Sequence, residues 1–427
     1  MTAAGPVEHY REAFAALAAR DDAAAERSAA FERFAALGFP GPRDEAWRYT
    51  NLRRLESRRF APTDAAEAAV VSLPSPLAPH RLVVVDGRLR RDLGSSGLPA
   101  GVSVRSLAEA RSAGLSVAAL LRVPAGGGTE RFAALNAALC PDVLFLEIAD
   151  SALPEAIELV FVPGASEGSM QHPRLVVRAG RGSVARLVLR HSGDDAERLV
   201  NVVVDVEVGP DAALHVYRLF EPGERTFHIE RLEATVGQRG TVFVHDAQLG
   251  AGLARLDLNA RLAAPQAAAE LTGLFLADGS RHLDTQVRAD HLDVGTRSLQ
   301  DYRGIAAGRG RAIFNAKAIV HPGAQQSEAR QSSRNLLLTP GAEIDTKPEL
   351  EIYADDVKCS HGATTGQLDA VALFYLRSRG LSETEARSAL TRAFAGAVLS
   401  RMDHEAFARV VRDTLDLRLA RLLETRP

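Results

Sequence analysis

The pattern of hydrophobic and polar positions changes twice along the chain and divides it into three regions. In the first, apolar residues recur at three- and four-residue spacing between Tyr10 and Leu37, which predicts helix. Gly38 follows the last turn of this pattern, as is typical of a helix end. A further helical pattern around 132–136 leads into a mostly apolar run at 143–148. The first region is therefore expected to be helical and mixed.

Short runs rich in β-branched residues fill the middle region, and several alternate apolar and polar positions as strands do. These runs are 157–162, 175–178, 184–189 and 202–208. Turn residues recur at intervals of 28 to 30 residues, at Gly180, Gly209, Gly237, Pro265, Gly295 and Gly323. Such a period, with two or more strands in each repeat, predicts a β-solenoid whose coils stack into one elongated core. A large β-sandwich with coincidental turn spacing is the alternative.

After Gly366 the pattern becomes helical again. Residues 369–379 have helical apolar spacing, and Ser382 with Glu385 forms the sequence of a capping box that opens a second helix. A last helix is expected from about Asp403, with its apolar positions largely on one face. The three regions predict a helical and mixed domain, a β-helix core and a helical domain, at 1–150, 151–366 and 367–427.

Charge and lysine content exclude several functions. The net charge of −3 and the pI near 6.5 argue against a general nucleic-acid-binding protein. No window approaches 18 consecutive apolar residues, so we expect no membrane span. The only lysines are Lys317, Lys347 and Lys358, and none follows a glycine, which excludes a P-loop and with it an ATP site of that kind.

The cysteines and the N-terminus indicate an intracellular protein. Cys140 and Cys359 are the only cysteines, too few for a disulfide-rich secreted scaffold or a CxxC zinc site. Glu8 and His9 stand where a signal peptide would have its apolar segment. We therefore expect a cytoplasmic protein.

Several motifs have a structural explanation that we favour. Ser166 lies in a GxSxG sequence, but Pro173 and a further β run follow it, whereas a nucleophile elbow needs a helix there. Cys140, between a predicted helix and strand, is expected to be a small buried side chain. Trp47 and its neighbours are expected to pack, with an arginine stacked on a ring. The histidines of the β region lack ligand-like spacing, and we expect them on solvated faces: His215, His228, His245, His282, His291 and His321.

Cys359 and His361 form a stronger candidate site. If their segment is extended, residues two apart project from the same face. Thiolate and imidazole are ligands suited to iron or zinc. A buried cysteine beside a turn-capping histidine is the alternative, and so, more weakly, is a nucleophilic pair. Because a cluster normally needs four protein ligands, a metal site here would require another chain to complete it.

The chain resembles the SufB/SufD family, the scaffold subunits of the SUF system for iron–sulfur cluster assembly. The resemblance is dense in four stretches, 348–352, 354–364, 366–369 and 373–380. Other features favour the SufD branch of that family, namely Gly362 after Cys-Ser-His, the Gly-Gln-Leu-Asp sequence at 366–369, Asn-Leu-Leu-Leu at 335–338, Gly-Phe-Pro at 38–40 and Glu-Ala-Trp-Arg-Tyr-Thr at 45–50.

The resemblance implies a right-handed parallel β-helix between helical domains, in agreement with the turn spacing. It also implies a complex with the SufB paralogue and two copies of the SufC ATPase, in which SufC hydrolyses ATP and this chain is a non-catalytic scaffold. Clusters would form transiently at the SufB interface, where His361 matches the family's interface histidine and Cys359 is a second candidate ligand. The C-terminal region would bind SufC, and the residues expected at that contact are Leu373, Phe374, Arg379 and Phe394.

Two other functions stay open at this point. The chain could be a β-helix carbohydrate-active enzyme, although it shows no clear carboxylate cluster. It could also be a purely structural partner without metal contact. Whether the cluster has two or four irons, whether a flavin binds the complex, and whether a homodimer exists are not decided by the sequence.

Overall fold

Two parallel sheets, wound into a β-solenoid, form the centre of the protein. The computed structural model describes residues 6–18, 23–41, 43–63, 71–126, 128–164 and 167–424. Ser166 of the GxSxG sequence lies outside these residues. The expectation of a mostly β protein with a parallel β-helix core and helices at both ends is confirmed.

The part before residue 140 contains short helices and strands. The predicted helical stretch at 10–37 is occupied by two helices, not one. The elements are α1 (Pro6–Ala18), α2 (Ala24–Leu37), a 3-10 turn (Glu45–Trp47), α3 (Arg53–Glu56), β1 (Ala61–Pro62), β2 (His80–Val85), β3 (Arg88–Leu89), β4 (Val102–Arg105), α4 (Leu107–Ser112), α5 (Val117–Leu120) and α6 (Glu130–Leu139).

The remaining strands build the solenoid, and three helices follow it. The strands are β5 (Leu144–Ile148), β6 (Ile157–Val162), β7 (Ser169–Gln171), β8 (Arg174–Ala179), β9 (Val184–Ser192), β10 (Arg198–Val208), β11 (Ala213–Glu221), β12 (Thr226–Val236), β13 (Thr241–Gln248), β14 (Leu253–Leu262), β15 (Ala268–Ala277), β16 (His282–His291), β17 (Arg297–Ala306), β18 (Arg311–Val320), β19 (Glu328–Leu337), β20 (Glu343–Ile352) and β21 (Lys358–Gly366). The helices are α7 (Ala370–Ser378), α8 (Glu383–Leu399) and α9 (Glu405–Glu424).

Successive strands alternate between the two sheets, so each coil adds one strand to each. One sheet runs β20-β18-β16-β14-β12-β10-β8-β5-β4, and the other runs β21-β19-β17-β15-β13-β11-β9-β6-β2-β3. Arg198 pairs with Thr226, 28 residues later, and Arg311 pairs with Glu343, 32 residues later. The strand register thus has the period that the turn residues predicted. Strands β2 and β5, which precede residue 150, also join these sheets.

Helical layers cover the outer faces of both sheets. Before the solenoid, α2 and α6 pack with residues of β10, β12 and β14, in a cluster that includes Phe31, Phe132 and Phe227. After it, α8 and α9 pack against the other sheet, where Phe407 and Val411 join a cluster with residues of β11 to β19. None of the helices among the described residues is long and apolar enough to cross a membrane.

Candidate functional site

The solenoid has an open end at its last coil. Strands β20 and β21 are the edge strands of their sheets at this end, each paired on one side only. Their residues are mostly exposed or half-buried, in contrast to the buried interior strands. An edge strand presents unpaired N–H and C=O groups that can pair with another chain. This end of the solenoid therefore has the chemistry of an interface.

Cys359 and His361 lie on β21, which is extended, and they project from the same side of the strand. Cys359 pairs with Ala329 and His361 pairs with Gln331, and these two β19 residues are buried. Because paired residues in a parallel ladder point in the same direction, both candidate ligands belong to the inward-facing row of the solenoid. No further coil of the described chain covers that row, which leaves His361 exposed.

The surroundings of the two candidate ligands differ. Cys359 is half-buried and packs against a small apolar cluster that includes Val320 and Ala354. Burial raises the pKa of the Cys359 thiol, which keeps it protonated at neutral pH in the isolated chain. The imidazole of the exposed His361 is the more accessible ligand. Their role as ligands remains a prediction.

A second candidate surface lies on α7, directly after the solenoid. Val371, Phe374 and Tyr375 are exposed, with 73% of Phe374 accessible, and α7 has no buried residue. Asp369 caps this helix by accepting hydrogen bonds from the amides of its first turn, so the helix is well formed without packing. We call these three side chains the α7 apolar face.

The predicted contact residues are divided between the α7 apolar face and the interior. Leu373 is half-buried on α7, and the guanidinium of Arg379 lies 5.2 Å from the Tyr375 ring centre. Phe394, on α8, is half-buried, with Arg303 of β17 stacked 5.0 Å from its ring centre. Sequence reasoning missed Tyr375 as a surface residue, although its spacing from 371 places it on the face of Phe374.

The expectation of solvated histidines in the β region was wrong for several of them. His228, His245 and His291 are each at most 2% exposed. Burial lowers the pKa of His245 to about 4, and that of His291 likewise to about 4. The error has a physical reason, since the solenoid register decides which strand positions face inward, and spacing along the chain does not show it.

Two expectations of structural packing are confirmed. Cys140 is fully buried, and Arg27 donates a hydrogen bond of 2.8 Å to its carbonyl oxygen. Trp47 is buried and carries a stacked arginine, Arg255 of β14, with the guanidinium 4.6 Å from the ring centre. These residues hold the N-terminal helical region together and against the solenoid.

Fold and site define a class of protein: a capped parallel β-solenoid with one open end that carries a cysteine and a histidine, and an apolar helix beside it. The family model of the SUF system FeS cluster assembly SufBD core domain matches residues 161–394, and that of the SufBD protein N-terminal region matches 7–158. The chain belongs to the SufBD family of the SUF system for iron–sulfur cluster assembly.

Relatives from several bacteria match over most of their length. A SufBD family iron–sulfur cluster assembly protein of Synechocystis sp. is 30% identical, covering 88% of this chain and 87% of its own. The iron–sulfur cluster assembly protein SufD of Escherichia coli is 28% identical over 90% of each chain. A SufBD family protein of Mycobacterium tuberculosis is 27% identical over 86% of each. The chain is SufD-like within its family.

Proposed function

We propose that this chain is a non-catalytic scaffold subunit of a cytoplasmic complex that assembles iron–sulfur clusters, in which it pairs with SufB and binds the SufC ATPase. The observation that carries the proposal is the open coil at β20 and β21, which presents Cys359 and His361 in an otherwise inward-facing row. The cluster is the cargo of this complex and stays only until an acceptor takes it.

Pairing through the open end follows from the geometry of the edge strands. A second solenoid that presented its own last coil would cover the inward row and pair with the free edges. Two side chains of this chain, Cys359 and His361, provide fewer than the four ligands that a cluster normally needs. The partner must therefore supply the others. A neutral imidazole carries no charge, unlike a thiolate, which suits a site that releases its cluster.

The α7 apolar face is the proposed contact for SufC. Three large apolar side chains on one face of a capped helix, with no covering residue in the described chain, fit the groove of a partner protein. Because α7 links β21 to α8, a movement of a partner bound there would be transmitted directly to the strand that carries His361. ATP-driven closure of two SufC subunits is the proposed source of that movement.

The ligand role is tested by His361→Ala in the complex purified anaerobically from its own host. We expect the subunits to stay together and the iron and acid-labile sulfide to be lost. Ser360→Ala is the matched control, because Ser360 is exposed on the opposite side of the same strand. A His361→Ala complex with full iron and sulfide would contradict the ligand role and favour a purely structural partner.

The SufC contact is tested by Phe374→Asp. We expect this variant to lose SufC from the complex while SufB remains bound, because a carboxylate at the centre of the apolar contact is not compensated. Leu417→Asp on α9 is the control, since Leu417 is also a large exposed apolar residue but lies outside the α7 apolar face. Retention of SufC by Phe374→Asp would place the contact elsewhere.

A further inference from the structure

Three ionisable side chains meet inside the solenoid, far along the chain from Cys359 and His361. His228 and Glu230 lie two residues apart on β12, and His191 reaches them from β9 in the opposite sheet. The Nε2 atom of His228 is 2.8 Å from the Glu230 Oε2 atom, and the Nε2 atom of His191 is 3.7 Å from the same oxygen. We call these residues the His–His–Glu cluster.

Burial leaves the polar atoms of this cluster without enough partners. All three residues are at most 2% exposed. Neither ring nitrogen of His191 has a hydrogen-bond partner among the described residues, and the same is true of the Nδ1 atom of His228. Buried polar atoms almost always have a partner, so three orphaned nitrogens at one point indicate a missing group.

A small cavity lies against the two imidazole rings. It has a volume of about 20 Å³, which is enough for a single water molecule or ion. Phe161 stacks on the His191 ring at 4.6 Å and is also part of the cavity wall. The half-buried Ser192 and Gly193 line the cavity too, so it borders on the protein surface.

The charges around the cluster favour a cation. Arg218 donates hydrogen bonds of 2.7 and 2.5 Å to Glu230 and one of 2.6 Å to Asp246. These three side chains are fully buried and carry two negative charges and one positive charge. Burial lowers the pKa of His191 to about 3, so its ring does not supply a compensating proton at neutral pH. Arg218 fixes the carboxylate in the way that hydrogen bonds orient a metal ligand.

We propose that the His–His–Glu cluster binds a single divalent transition-metal ion, such as Zn²⁺ or Fe²⁺. Two imidazoles and one carboxylate are a donor set that such ions prefer. Ligand atoms bound to zinc at about 2.0–2.1 Å in a tetrahedron are separated by about 3.3 Å, which lies between the two distances above. A water molecule in the cavity would complete the coordination. The site is resident in this chain and separate from the cluster cargo of the proposed function.

Cobalt binding to the full-length chain tests the site. Chelator-treated protein is titrated with Co²⁺, and the visible absorption bands of the bound ion are followed. We expect one Co²⁺ per chain and at least tenfold weaker binding in His191→Leu, which keeps an apolar contact with Phe161. His361→Ala and His245→Leu are the controls, because His245 belongs to a separate His–His–Asp group at the surface. Both controls should bind Co²⁺ as the unchanged protein does.

A crystal of the unchanged protein soaked in Co²⁺ tests the site without any substitution. An anomalous peak between the rings of His191 and His228 supports the proposal even if His191→Leu fails to fold. An ordered water there with no anomalous signal overturns it. Loss of Co²⁺ binding in His245→Leu or His361→Ala, with normal binding in His191→Leu, overturns it as well. None of these results depends on whether His361 binds a cluster.

Discussion

The N-terminal helical region is fastened to the solenoid by one buried arginine, and its removal provides a demanding test of the packing described above. Arg255 of β14 donates hydrogen bonds of 2.7 Å to Asp257 and 2.6 Å to Asp284. It also donates one of 2.7 Å to the carbonyl oxygen of Ala46 and stacks on Trp47. Burial alone would lower the pKa of Arg255, but the two carboxylates outweigh it and raise the pKa.

Replacement by methionine would leave both carboxylates buried without their cation. Asp257 and Asp284 are at most 3% exposed, so water cannot replace the lost guanidinium. Removal of one partner from a buried ion pair costs about 3–5 kcal/mol. We therefore expect Arg255→Met to lower the free energy of unfolding by about that amount. Asp257→Asn and Asp284→Asn, added together to Arg255→Met, should recover part of the loss.

The matched control is Arg58→Met. Arg58 also connects the N-terminal region to the solenoid, through Glu197 at 2.8 Å, but its side chain is 45% exposed. An exposed ion pair is worth about 0–1 kcal/mol. Urea unfolding followed by circular dichroism gives both free energies by linear extrapolation. Equal, small losses in Arg255→Met and Arg58→Met would refute the reasoning from buried charge.

Three further predictions follow from single contacts. The hydrogen bonds that Tyr217 and Arg186 donate outweigh partial burial and lower the pKa of Asp403, so its contribution to stability is present above about pH 4 and disappears as the pH falls. The difference in unfolding free energy between Asp403→Asn and the unchanged protein should thus shrink below that pH. Iodoacetamide should label Cys359 before the fully buried Cys140, as read by mass spectrometry. Gly273→Ala should destabilise by about 1–3 kcal/mol in urea unfolding, because the added Cβ would lie 2.2 Å from a tyrosine ring.

Each of these predictions has a contradicting result. A constant difference for Asp403→Asn from pH 7 to pH 3 would contradict the lowered pKa. Labelling of Cys140 before Cys359 in the folded chain would contradict its burial. Gly323→Ala is the control for Gly273→Ala, because a Cβ there would meet nothing within 4 Å. Equal stability of the two glycine variants would contradict the close packing inside the coil.

The solenoid could be predicted from the sequence because its turns repeat. Residues such as Gly209 and Gly237 recur at the period with which strands pair, so the coil length is written in the turns. The position of Cys359 and His361 on one side of a strand also followed from period-two geometry. The exposure of His361 depends on the absence of a covering coil in the described chain, which no local pattern shows.

Contacts between distant parts of the chain could not be predicted. Arg255 and Ala46 are 209 residues apart, and nothing near Trp47 indicates which arginine stacks on it. The His–His–Glu cluster was missed for a similar reason. His191 and His228 have no ligand-like spacing, and they meet only because the two sheets face each other across the solenoid interior.

The most direct test of the scaffold account is anaerobic native mass spectrometry of this chain, tagged and purified from its own host. The account predicts a complex that contains this chain, a SufB paralogue and two copies of the SufC ATPase, with added mass for iron and sulfide. A bare monomer or homodimer without these partners, under conditions that keep other complexes of the host intact, would contradict it.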